Sequence, residues 1–149
     1  MRHNRLAQQM EQVVRSYIQA CNDADANAVA VCFSSDAIHY MPLNDRGLES
    51  WRGATTIGAK FESLVRASGR SWTVDQLLTD VDRHAVILEW TAFNREHDRL
   101  VRGVDWFDFD AQSGLIASVR SFVATISNPD AVRVEQQDFD YAGRGYPTL

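Results

Sequence analysis

"LVRGVDWFDFDAQSGLIASVRSFVATI", residues 100–126, holds two runs rich in β-branched and aromatic residues on either side of "AQSG". It reads as a pair of antiparallel strands. Within the first run, the alternation of "GVDWFDFD" (103–110) puts Asp105, Phe107 and Phe109 on one face. A carboxylate standing in line with two phenylalanines poses a chemical question, because a buried charge is costly unless it is paired, hydrogen-bonded or neutralised by a proton. The opposite face, with Arg102, Val104, Trp106 and Asp108, mixes apolar and charged groups as a subunit interface does. A homodimer through the outer sheet surface is therefore expected.

Upstream, "SWTVDQLLTD" (71–80) and "HAVILEWTAFN" (84–94) have the same composition, and "DR" and "REHDR" punctuate them. The second half of the chain thus predicts four antiparallel strands in hairpin succession. In "VILEWTAF" (86–93), Val86, Leu88, Trp90 and Ala92 form one apolar face, which directs Trp90 inward, while Glu89 and Thr91 take the other.

The first half is helical. Leu6, Met10, Val13, Val14, Tyr17 and Cys21 recur at three- and four-residue steps and predict a long amphipathic helix. "ANAVAVCF" (26–33) predicts a second, shorter helix with "SSD" as its exit, and "AIHYMP" (37–42) a short strand stopped by Pro42. In that strand His39 shares its parity with Met41, and Tyr40 points the other way. "LNDRGLESWRG" (43–53) reads as a polar loop. "ATTIGAKFESLVRASG" (54–69) carries Ile57, Phe61, Leu64 and Val65 at helical spacing before Gly69 ends it.

Helices followed by a meander predict an α+β fold in which a cone-like, curved antiparallel sheet wraps around three N-terminal helices. Such a wrap leaves a cavity suited to small apolar ligands. No linker or repeat divides residues 1–149, which read as a single domain. The tail, 127–149, contains Phe139, Tyr141 and Tyr146 and is expected to dock on the body.

Lys and Arg number 15 against 20 Asp and Glu, a net charge of -5 with no basic stripe, which argues against nucleic acid or an anionic membrane as partner. The apolar runs are too short to cross a bilayer, and "MRHNRLAQQMEQ" lacks the apolar stretch of a secretory signal, so a cytoplasmic location is expected. Cys21 and Cys32 make no C-x-x-C and read as small core residues. His3, His84 and His97 fall in a terminus and in turns. With no Gly-rich phosphate loop, no G-x-S-x-G and no i, i+4 histidine pair, neither a metal nor a cofactor is expected.

From about residue 10 to residue 126 the chain resembles the nuclear-transport-factor-2-like superfamily, in particular its SnoaL-like and ketosteroid-isomerase-like members. The landmarks are "VVRSYIQACNDADANAVAVCFSSDAIHYMP", "WRGATTIGAKFESL" and "DWFDFDAQSGLIASVRSF". Ketosteroid isomerases use a tyrosine on the first helix, a protonated aspartic acid on the penultimate strand and an aspartate base at the end of the first strand. The resemblance implies that Tyr17 matches the tyrosine and Asp105 the protonated acid; Met41 stands at the base and cannot take a proton. In a branch similar to limonene epoxide hydrolase, Ser121 stands where a last-strand aspartate belongs, and "VILEWTAF" offers only Glu89 for its third-strand carboxylate–arginine pair, so epoxide hydrolysis ranks lowest. SnoaL-type polyketide cyclases rely on a similar inward aspartate.

These readings converge on a cofactor-independent acid–base enzyme, an isomerase, dehydratase or cyclase, acting on a small hydrophobic carbonyl or hydroxyl compound. Tyr17 and a neutral Asp105 would stabilise an oxyanion and His39, with its ordinary pKa near 6.5, would move the proton. Asp45, after Pro42, is the reserve base. Met41, Trp90, Phe107 and Ser121 would contact the substrate. The rival expectation is a non-catalytic module that holds a hydrophobic ligand or serves as a dimeric scaffold.

Overall fold

The computed structural model describes residues 2–43, 47–95 and 99–124. Helices α1 (Arg2–Asn22) and α3 (Ala54–Ser68) pack against one face of a six-stranded sheet, and α2 (Ala26–Ala30) packs against both of them. Its strands are β1 (Phe33–Leu43), β2 (Gly47–Arg52), β3 (Arg70–Asp80), β4 (Ala85–Asn94), β5 (Arg99–Phe109) and β6 (Ile116–Val123). The spatial order is β2-β1-β6-β5-β4-β3. All neighbours are antiparallel except β1 and β6, which run parallel. The architecture is the α+β arrangement read from the order of elements.

The helices form where the periodicity places them. Met10, Val14, Tyr17 and Cys21 of α1 are buried, as are Ile57, Phe61 and Val65 of α3. Gly69 ends α3 in the left-handed conformation (φ 60°), its N–H donating to the Val65 carbonyl at 2.8 Å. Asp25 caps α2 by accepting from the Ala28 N–H at 2.9 Å. The two short-range helices cross so closely that a Cβ on Gly58 would lie 2.2 Å from the Ala26 carbonyl oxygen. Cys21 and Cys32 are free thiols, both buried.

Three expectations need correction. The second helix is only five residues long, and Phe33 and "SSD" already belong to β1: Phe33 is aligned with Ile116 of β6, and this long-range pairing outweighs local helical spacing. Pro42 does not stop β1, because the last pairing with β6 is Tyr40 with Arg120; beyond it β1 has a neighbour on one side only, and the absent N–H costs little. The segment read as a polar loop contains β2, an edge strand that buries Trp51 alone among its described side chains and leaves a weak alternation signal. Residues 44–46, with the reserve base Asp45, and the tail from 125 onward lie outside the described residues.

A bulge shifts the β3–β4 register between Val74 and Gln76. It lets Trp72, Val74 and Leu77 all join the core side while Asp75 is extra to the ladder.

A candidate acid–base site in an aromatic cavity

Between the helices and the inner sheet face lies a cavity of about 240 Å³. Trp51, Phe61, Trp72 and Trp90 supply much of its wall, and Tyr17, His39, Met41, Asp105 and Ser121 also line it. Six of the seven side chains expected to form the site therefore meet in one place. The seventh, Phe107, is fully buried but does not line the cavity; its ring meets that of Tyr17 edge-on, with centroids 5.7 Å apart.

Tyr17 comes from the buried stripe of α1. Phe33 and Phe61 also surround its ring, at 5.3 and 5.6 Å. Its hydroxyl lies 3.2 Å from Nε2 of His39. On β1, His39 points inward between Trp51 (5.6 Å) and Phe61 (5.1 Å) and has no exposed surface, whereas Tyr40 is 38% exposed, as their parity requires. Nδ1 of His39 has no hydrogen-bond partner.

Asp105 sits on β5 between Leu88 of β4 and Ser121 of β6 and is 6% exposed. Its Oδ1 has no partner, and neither has the indole N–H of Trp90. Burial pushes the carboxyl up to about 6, outweighing the Ser121 hydroxyl and the nearby Trp90 indole, which favours the anion without meeting it in hydrogen-bonding geometry. Trp90 takes its position because its strand partner is Gly103: a Cβ there would lie 2.2 Å from the indole ring and 2.5 Å from the Phe122 carbonyl oxygen.

Two protonation states differ from expectation. With a pKa of about 6, Asp105 is mostly ionised at neutral pH rather than a resident neutral acid. Burial drives His39 the other way, to about 3, so the imidazole is neutral and disfavours the cationic form that a proton carrier needs. Burial, then the neighbouring Cys21 and Asp105, raise the Tyr17 phenol well above its ordinary value and keep its proton on.

The sequence profile of SnoaL-like domains matches residues 14–119. The chain belongs to the SnoaL-like family. A protein of unknown function with a cystatin-like fold from Methylobium petroleophilum PM1 is 38% identical, over 96% of this chain and 93% of that one, with a TM-score of 0.76. Two further similar structures share the fold at lower identity. A candidate ketosteroid isomerase from Kribbella flavida DSM 17836 is 18% identical over 84% of each chain, TM-score 0.67. The epoxide hydrolase/cyclase-like enzyme SalBIII, of pyran ring formation in the polyether salinomycin, is 21% identical over 78% of this chain and 92% of its own, TM-score 0.64. No curated protein matches the sequence.

This SnoaL-like domain also places in its cavity residues that the sequence reading passed over. Trp51 was hidden in a polar stretch. Arg70 and Trp72 follow the glycine that ends α3, and their shared parity in β3 was a usable signal for Arg70. Among the described residues there is no group of three or more His, Cys, Asp or Glu that could hold a metal, and no helix is long and apolar enough to cross a membrane.

Proposed function

We propose that this SnoaL-like domain is a cofactor-independent acid–base enzyme that isomerises, dehydrates or cyclises a small hydrophobic carbonyl or hydroxyl compound. The observation that carries the reading is Asp105: a buried carboxyl in an aromatic cavity, one oxygen unpartnered, with an affinity for protons near that of a neutral solution. The other carboxylate of the same strand, Asp108, is tied by Trp106, Ser118 and Arg120.

The roles follow from the protonation states. Asp105 is the base, taking a proton from the substrate carbon or hydroxyl and returning it at a second position. Tyr17, which keeps its proton, donates to the oxygen on which negative charge develops. In the Nε2–H tautomer, His39 donates to Tyr17 Oη and leaves the phenolic proton for that oxygen. His39 thus orients Tyr17 and transfers no proton in the reaction. The proton-accepting group stands on the fifth strand, so Met41 at the end of the first is no obstacle.

The test is proton exchange into deuterated water, followed by NMR for a panel of β,γ-enones, β-hydroxy ketones and epoxy alcohols. Asp105→Asn is expected to lower exchange or conversion about 10²–10⁴-fold without loss of melting temperature. The wild-type rate should climb tenfold per pH unit below about 6 and level above it. Full activity of Asp105→Asn would refute the assignment.

A second reading concerns the outer face. Val104 and Phe122, paired across β5 and β6, are 37% and 60% exposed there. They flank a shallow groove beside Glu89 and Arg102. We assign this face to a homodimer, supported by the apolar area it leaves to solvent. The same dimer would serve a non-catalytic scaffold, and a cytoplasmic location belongs to the proposal in both forms. Phe122→Lys, followed by sedimentation, should yield a monomer; an unchanged mass would remove this face from the assembly.

A further inference from the structure

We propose that the ligand of the cavity carries a carboxylate, and that Arg70 binds it at the end opposite Asp105. Arg70 lines the cavity, its Nε is buried, and that nitrogen has no hydrogen-bond partner. Among the described residues no carboxylate pairs with it, and the guanidinium lies over the face of Trp72, 5.9 Å from the ring centroid. Oδ1 of Asn94, its strand partner across β4, is likewise buried without a partner.

Arg102, a buried arginine of the same sheet, is neutralised on the outer face by Glu89 and by Asp75 at 3.9 Å. A half-buried guanidinium with no such partner among the described residues is open to an anion, and its planar fork suits a carboxylate held by two parallel hydrogen bonds. The ring face of Trp72 adds a cation–π contact to that fork.

The register fixes where the two charges sit. Along the inner face of β4, Leu88 is opposite Asp105, Trp90 opposite Gly103 and Val74, Ala92 opposite Trp72 and Val101, and Asn94 opposite Arg70. From the base to the cation is thus six residues of strand, about 20 Å if flat and less along a curved sheet. Trp90, Trp72 and Val101 lie between. A ligand matching this order is an apolar acid whose carbonyl or hydroxyl group lies several bonds from its carboxylate. The substrate class rests on the acid–base reading of the cavity, yet the two can fail separately.

The probes are 3-phenylpropanoate, its primary amide and benzyl phosphate, titrated calorimetrically into the wild type, Arg70→Gln, Arg70→Lys and Asp105→Asn. The carboxylate is expected to bind at least tenfold more tightly than the amide. Arg70→Gln should abolish that preference, and Arg70→Lys should retain part of it. Asp105→Asn should keep the preference while losing proton exchange, so failure of the base assignment leaves the anion site standing. Equal binding of acid and amide, a preference that survives Arg70→Gln, no binding of any probe, or tighter binding of the phosphate would each overturn the carboxylate assignment.

Discussion

The two faces of β4 and β5 bury ionisable groups under opposite conditions. Outside, Arg102 is held between Glu89 and Asp75, and Asp75 also accepts hydrogen bonds from Thr73 at 2.8 Å and Thr91 at 2.6 Å. Inside, Asp105 of β5 and Arg70 of β3 are not matched to each other, and among the described residues neither has an ion-pair partner. Burial alone therefore does not mark a site. What separates the faces is compensation: the outer charges are paired within the chain, and among the described residues the inner ones are not.

Four measurements would break or sharpen that contrast. The largest effect belongs to the outer face. Arg102→Met strands the Asp75 carboxylate, whose side chain is fully buried, and should cost about 3–5 kcal/mol in urea unfolding. Adding Asp75→Asn should recover part of the loss. A cost under 1 kcal/mol would mean that the outer network is not what holds those charges.

Next comes pH. Burial raises Asp105 from 3.8 to about 6 in the folded state, so its protonated form favours folding; that contribution is full below pH 3.8 and lost as pH rises through 6. His39 has the opposite sign: its folded value is depressed to about 3, and the stability of its neutral form is present above 6.5 and lost as pH falls toward 3. Between pH 4 and 6 the two slopes oppose each other. Asp105→Asn removes one of them, so over that interval the variant should lose about 1.4 kcal/mol per unit of acidification relative to wild type. Parallel curves would show that Asp105 has an ordinary carboxyl.

The third is Gly103→Ala, which drives a methyl group into the Trp90 ring. It should cost about 1–3 kcal/mol and weaken any cavity ligand, because the indole must move into the space the ligand uses. The smallest is a control at the surface. Glu62→Ala breaks the exposed i, i+4 pair with Arg66 on α3 and should change stability by about 0.3–0.5 kcal/mol, with no effect on ligand binding.

The sequence made the long elements and their faces legible because each carries a strong period: the stripe of α1, the apolar face of β4, and the line of Asp105, Phe107 and Phe109. Parity alone brought His39 and Met41 inward together. Short or composite elements were not legible. Phe33 belongs to β1 through its alignment with Ile116, 83 residues later by number, and no local pattern encodes such a contact. The bulge at Asp75 breaks the alternation of β3. In the site, the identity of Tyr17, His39 and Asp105 could be read, but their charge states could not, since these depend on how much water burial removes. Arg70 was within reach of the parity argument.

The parallel seam between β1 and β6 also bears on how the protein comes into being. While the chain is being made, the histidine strand emerges early and pairs with β2, but its other edge has nothing to meet until residues 116–123 have left the ribosome. Through that interval the cavity has no wall between His39 and Asp105, and β1 offers an unpaired backbone edge to neighbouring chains. A stalled product ending before Ile116 should therefore aggregate and bind no ligand, whatever the state of its helices.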